Sequence, residues 1–280
     1  MDLLDRIPPR LGALEGEPVV LGGGITNHNY RVRLGGRDYV LRVAGRETEV
    51  LGIDRAAERV ATELAARLGI GPEVAAASEH GLVTRFIDGR TLEPPELRHR
   101  VDEVAVALRT LHESRATLPA AFDVPAIVRG YAEVARARGV EPPADFGPAL
   151  ERARAIRAEL TGPEHEPVPC HNDLLAANFI DDGERVQIVD WEYAGMGDRY
   201  FDLGNFAVNN GLDETGEDAL LAAYWGEPAT EPRLRALRGM RFMSDLREAM
   251  WGVVQSAVSE LDFDFAAYAR DHFHRLGRAG

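Results

Sequence analysis

Strand-forming segments crowd the first third of this 280-residue chain, and amphipathic helical segments fill most of the remainder. Such segregation favours an α+β fold over one in which strands and helices alternate. Residues 18–21 and 29–34 read as two strands around Gly22-Gly23-Gly24-Ile25-Thr26-Asn27-His28, and 38–43 as a third beyond the hairpin turn at Gly35-Gly36. Residues 54–68 place Ala57, Val60, Ala61, Leu64 and Leu68 at helical spacing and stop at Gly69. Residues 82–87 read as a buried strand running into a hinge at Asp88-Gly89. Beyond it come helices at 95–111, with His112 just past the end, at 127–137 and at 146–160, separated by loops at 113–126 and 139–145. The chain exceeds what one core usually sustains. The expected architecture is a two-lobed unit: residues 1–88 as a small five-stranded antiparallel sheet with one helix, and residues 89–280 as a larger helical lobe.

Composition narrows the partners. A formal net charge of −14 argues against nucleic acid or an anionic membrane surface and suits a cationic ligand. Cys170 is the single cysteine, which excludes an internal disulfide, and its apolar approach reads as core. Residues 1–11 carry no leader pattern, and nowhere do roughly 18 apolar residues run together, so a cytoplasmic protein without membrane insertion is expected. There is no lysine at all. A Walker-A loop and Schiff-base chemistry are therefore excluded, and any phosphate-binding cation must be arginine.

The chemistry concentrates in His171-Asn172-Asp173, in Asn178 five residues past that aspartate, and in a strand-like 186–189 ending at Asp190-Trp191-Glu192. Phosphoryl transfer needs a carboxylate to take the acceptor's proton, plus an amide oxygen and a second carboxylate to hold Mg²⁺ against a triphosphate. Asp173, Asn178 and Asp190 supply these groups in the order of a kinase catalytic segment. Taken singly, Asn178 is equally a turn residue and Asp190 the end of a strand. Upstream, the glycine run allows close backbone approach to phosphate, with Gly23, Gly24, Thr26, Asn27 and Asn29 as candidate contacts, although an ordinary hairpin has the same composition. Arg42 stands on the third strand where a kinase places its phosphate-pairing lysine, and Glu58 on the following helix is its candidate partner. The plainer reading of Glu58 is a solvated partner for Arg55 or Arg59, though order and spacing favour the pairing with Arg42. The backbone at Phe86 and Ile87 would meet the adenine, while His112 reads as a packed or capping histidine.

On these segments the chain resembles the choline/ethanolamine kinase family, within the small-molecule kinases that include aminoglycoside phosphotransferases. The resemblance runs through GGGITNHNYRV at 22–32, YVLRV at 39–43, HNDLLAANF at 171–179, the DWEY beginning at Asp190 and the stretch at 244–269. It implies a kinase-like fold using ATP and Mg²⁺, with Asp173 as base, Asn178 and Asp190 as metal ligands, and Glu192 as a further ligand to the metal or its water. It also implies that His171 and Asp202 brace the catalytic loop and that Arg42 and Glu58 position phosphate. At the substrate end, Trp251 and Tyr268 match two aromatics that cage a quaternary ammonium, and Tyr193 is a weaker candidate. Glu248 stands where the family carries a tryptophan, which moves the expectation from choline toward ethanolamine or its methylated forms. Helix core is the plainer reading of Trp251 and Tyr268, and a surface pair with Arg247 or Arg241 that of Glu248. The expected activity is phosphorylation of a small cationic or amine-bearing alcohol. A kinase of aminoglycosides or other hydroxylated amines, and a nucleotide-binding pseudokinase scaffold, are the alternatives.

Overall fold

The computed structural model describes residues 9–22, 27–44, 48–78, 81–259 and 261–277. Strands β1 (Leu14–Leu21), β2 (Asn27–Leu34), β3 (Arg37–Ala44), β4 (Val74–Ser78) and β5 (Gly81–Arg85) form an antiparallel sheet in the order β1-β2-β3-β5-β4. Val32, Leu34, Tyr39, Leu41, Ala76 and Val83 make a small core on it. β1 starts earlier than the sequence suggests, because a bulge between Glu15 and Val19 interrupts its alternation.

Helix α1 (Arg55–Leu68) links β3 to β4. Asp54 caps it by accepting from the Ala56 and Ala57 amides, and Gly69 closes it at φ 72°, a left-handed conformation that suits glycine. Its apolar face does not join the small core. Ala61, Leu64 and Ala65, with Ile53 and Ile70 beside them, belong to the large core that runs through the rest of the chain.

That second part contains β6 (Arg90–Thr91), α2 (Pro94–Leu97), α3 (Val101–His112), α4 (Val124–Ala137) and α5 (Phe146–Glu159), then four short strands: β7 (Val168–Cys170), β8 (Phe179–Asp181), β9 (Val186–Ile188) and β10 (Gly195–Gly197). Helices α6 (Arg199–Asn209), α7 (Glu214–Trp225), α8 (Glu231–Val258) and α9 (Phe265–Leu276) complete it. β6, β8 and β9 form one small sheet, β7 and β10 another.

Two boundaries differ from the sequence reading. The single helix expected at 95–111 is broken into α2 and α3, with Arg98 held by the Asn210 carbonyl. Leu97 and Val101, both buried, lie four residues apart and would share a face of an unbroken helix, so periodicity cannot reveal the break. α4 begins at Val124 rather than 127, because Pro125 sits in the first turn, where no intrahelical N–H is needed, and Asp123 caps the end.

α8 is the central pillar, packed against α4, α6 and α9. At its crossing with α6, a Cβ added to Gly204 would come within 2.7 Å of the Arg241 amide nitrogen, so only glycine allows the two backbones to approach this closely. No helix among the described residues is long and apolar enough to cross a membrane.

Candidate active site

The loop after β7 carries His171, Asn172 and Asp173. Asp202, fully buried on α6, accepts from the His171 amide at 2.8 Å and from the Asn172 amide at 2.7 Å. It also meets His112 Nε2 at 3.0 Å, while His112 Nδ1 lies 2.8 Å from the Tyr224 hydroxyl. A buried column from α7 through α3 to α6 thus fixes the loop through its backbone, and His112 is a packed residue at the last position of α3. Asn172 adopts φ 69°. His171 Nε2 donates to the Val189 carbonyl at 3.0 Å, leaving Nδ1 to accept from the Asp173 amide at 3.2 Å. Burial lowers the pKa of His171 and keeps the ring neutral. Cys170 is fully buried, and the same cause pushes its thiol well above the usual range.

Asn178 donates through Nδ2 to the Asp173 carbonyl at 2.8 Å, so its amide oxygen is the end that can face outward. Asp190, at φ 68°, follows β9. Both residues line a cavity of about 370 Å³ together with Asn29, Arg42, Phe86 and Ile87. An amide oxygen and a carboxylate on one cavity are hard donors of the kind a divalent cation such as Mg²⁺ takes. The residues present therefore fit that ion. Glu192 is not on this cavity: it is buried and accepts from Arg55 at 3.3 Å.

Arg42 ties the two parts of the chain together. Its Nη1 donates to Glu58 Oε1 and to Asp190 Oδ1, each at 2.7 Å, and its Nε to Asn29 Oδ1 at 3.3 Å. The solvated reading of Glu58 does not hold, since the residue is buried, yet Arg55 donates to its other oxygen at 2.7 Å. Gly23, Gly24 and Thr26 lie outside the described residues, as does the side chain of Asn27, whose backbone opens β2.

The candidate substrate residues meet on the other side of Asp173. Trp251 Nε1 donates to the Tyr193 hydroxyl at 3.1 Å, the Trp251 and Tyr268 rings pack edge to face at 5.7 Å, and the Tyr268 hydroxyl donates to Glu248 Oε2 at 2.7 Å. Trp251 and Tyr268 also pack in the large core, so the core reading and the site reading describe one place. The surface reading of Glu248 fails: it is buried, and so is its partner Arg247, at 2 % exposure.

Arg247 is the site residue that sequence reasoning missed. Its Nη1 donates to Glu248 and, at 3.2 Å, to Asp173 Oδ1, and its guanidinium lies 4.1 Å from the Tyr193 ring centroid. One cation between two carboxylates leaves their protons unequal. Glu248, served by both Arg247 and Tyr268, stays below the usual carboxylate range, since these partners outweigh its burial. Asp173 is pushed up to about 7, chiefly by burial and further by the charges of Glu248, Asp190 and Glu192, which Arg247 only partly offsets.

The chain is similar to known proteins over most of its length. A model of the phosphotransferase enzyme family matches residues 18–239. The crystal structure of a choline/ethanolamine kinase family protein from Mesorhizobium loti is 33% identical, with a TM-score of 0.83 over 99% of this chain and 92% of that one. Human ethanolamine kinase 2 is 29% identical over 264 residues, covering 84% of this chain and 68% of the relative. The choline kinase LicA from Streptococcus pneumoniae, at 22% identity, shares the fold with a TM-score of 0.82 over 97% of this chain and 95% of that one. The chain belongs to the phosphotransferase enzyme family, as a small-molecule kinase of its choline/ethanolamine kinase branch.

Proposed function

We propose that this kinase transfers the γ-phosphoryl group of ATP to the hydroxyl of a small amino alcohol, with ethanolamine and choline as the parent acceptors. The observation that carries the reading is the convergence of Asp173, Asn178 and Asp190 from one loop and one strand end, with Arg42 and Glu58 closing on them from β3 and α1. Residues 1–88 would grip the nucleotide, with the backbone of Phe86 and Ile87 against the adenine, and residues 89–280 would hold catalyst and acceptor.

Asp173 accepts the hydroxyl proton as that oxygen bonds to the γ-phosphorus and the bond to the β–γ bridging oxygen breaks, releasing ADP. Asn178 and Asp190 are the residues that would hold Mg²⁺, which when bound offsets charge on the phosphates. Arg42, an always-charged planar donor, aligns phosphate oxygens while Glu58 fixes its direction. Positioning and charge stabilisation supply most of the acceleration in such a reaction. Trp251 and Tyr268 would wall the acceptor's end of the site, with Arg247 over one face of Tyr193, and Glu248 and Asp173 supply the negative charge that favours an amine.

The test is ADP formation from ATP and Mg²⁺ with ethanolamine, its mono- and dimethyl forms, choline and an aminoglycoside. Turnover stimulated by a small amino alcohol is the expected result. Turnover with the aminoglycoside alone, or ATP binding without turnover on any acceptor, overturns the proposal in favour of a larger hydroxylated amine or a scaffold. Asp173→Asn should lower kcat by roughly 10²–10⁴-fold, the span of a positioned general base, with ATP affinity little changed.

A further inference from the structure

Arg247 touches the carboxylate that takes the proton in the proposed reaction, and it touches only one of its two oxygens. Asp173 Oδ1 accepts from Arg247 Nη1 at 3.2 Å, whereas Oδ2 has only a contact of 3.5 Å with Asn178 Nδ2, at the outer limit of a hydrogen bond. The Asp173 side chain keeps 11% exposure. Oδ2 is therefore the oxygen left to receive an acceptor hydroxyl.

Arg247 is itself immobilised. It is buried on α8, the Tyr193 ring covers one face of the guanidinium at 4.1 Å, and the Tyr131 hydroxyl, which donates to the Leu51 carbonyl, lies against it. The same Nη1 that serves Asp173 donates to Glu248 Oε1, and the other oxygen of Glu248 accepts from the Tyr268 hydroxyl at 2.7 Å. A chain of contacts thus runs from α9 through α8 to the catalytic loop. A planar donor held in this way fixes the rotation of the carboxylate it meets.

Stability alone does not account for the arrangement. Nε and Nη2 complete no hydrogen bond among the described residues, and buried charged donors in that state are costly. An apolar pair in place of a buried ion pair is often as stable or more so. Such rules are broken mainly where function requires it. We infer that Arg247 is a positioning residue of the reaction: anchored by Glu248, it takes Oδ1 of Asp173 and turns Oδ2 toward the acceptor. The hydroxyl proton then passes to Oδ2 as that hydroxyl's oxygen bonds to the γ-phosphorus, and the β–γ bridging oxygen leaves with ADP. The inference rests on the kinase reading and deepens it.

The experiment is a mutant cycle read in kcat, on the full chain with ATP, Mg²⁺ and whichever of ethanolamine, its methylated forms and choline is turned over fastest. Arg247→Met combined with Glu248→Gln removes the cation and its anchor together, so the net charge is unchanged. With Asp173 present, this pair of changes should lower kcat by roughly 10- to 100-fold, with KM for ATP unchanged and Tm no lower than that of the parent. In an Asp173→Asn background the same pair should cost no more than about twofold, because an effect exerted through the carboxylate cannot be lost twice. Arg247→Lys alone should retain most of the parent kcat, since the contact runs through one nitrogen and lysine keeps a charged donor. A kcat within about twofold of the parent in the paired variant, whatever its Tm, overturns the inference and leaves the amino-alcohol kinase standing. An equal loss in both backgrounds does the same, because it places the effect of Arg247 outside Asp173. Arg247→Lys as impaired as the paired variant also overturns it. No turnover of any of these acceptors by the parent overturns the kinase reading and this inference with it.

Discussion

In the proposed reaction a single side chain, Asp173, would set a measurable property of the whole enzyme. Its carboxyl is held near pH 7 by burial and by neighbouring negative charge, and only the ionised form can accept a proton. With Asp173 as base, kcat/KM for the acceptor should therefore fall about tenfold per pH unit below about 7 and level off above it. A flat profile from pH 5 to 8 would remove Asp173 from that role. Asp173, Asn178 and Asp190 are legible in the sequence because the loop fixes their spacing, and the Asp173 carbonyl binds Asn178 across five residues. Arg247 is not legible for a physical reason. A charged pair in a helix reads as surface, since burying it is costly, and only the third group, Asp173, makes the burial tolerable. The one clue is that Arg247 and Glu248 sit between Leu246 and Ala249 in a stretch with apolar residues on every side.

Among the elements, α8 and α6 set the precision of the site. Asn205 on α6 bonds the amide of Leu174, just after Asp173, and its own Nδ2 donates to Ser244 on α8 at 2.9 Å. The catalytic loop therefore depends on how closely these helices approach at Gly204. Gly204→Ala should cost about 1–3 kcal/mol by overpacking, read as a Tm lower by several degrees. A variant as stable as the parent would mean that the crossing relaxes without loss. Helix caps and the antiparallel sheet were readable from local rules, as Asp54, Gly69 and the turn at Gly35-Gly36 show. The break between α2 and α3 was not: Arg98 beside it bonds the carbonyl of residue 210, and no local pattern contains that partner.

Across the whole molecule, the large core gathers α1 with the helices of the second part, while the small core stays with the sheet. Arg42 adds a polar link between β3, α1 and the end of β9. Chemical denaturation should therefore show one transition when followed by tryptophan fluorescence and by far-UV circular dichroism, and two separated transitions would contradict a shared core. The placement of α1 has a practical side as well. A chain cut in the exposed stretch near Gly89 would leave one fragment with the apolar face of α1 uncovered and the other with the seat it fills. With the large core divided between them, the two pieces, produced separately, should recover kinase turnover only by finding each other, which is the property a split-enzyme reporter requires.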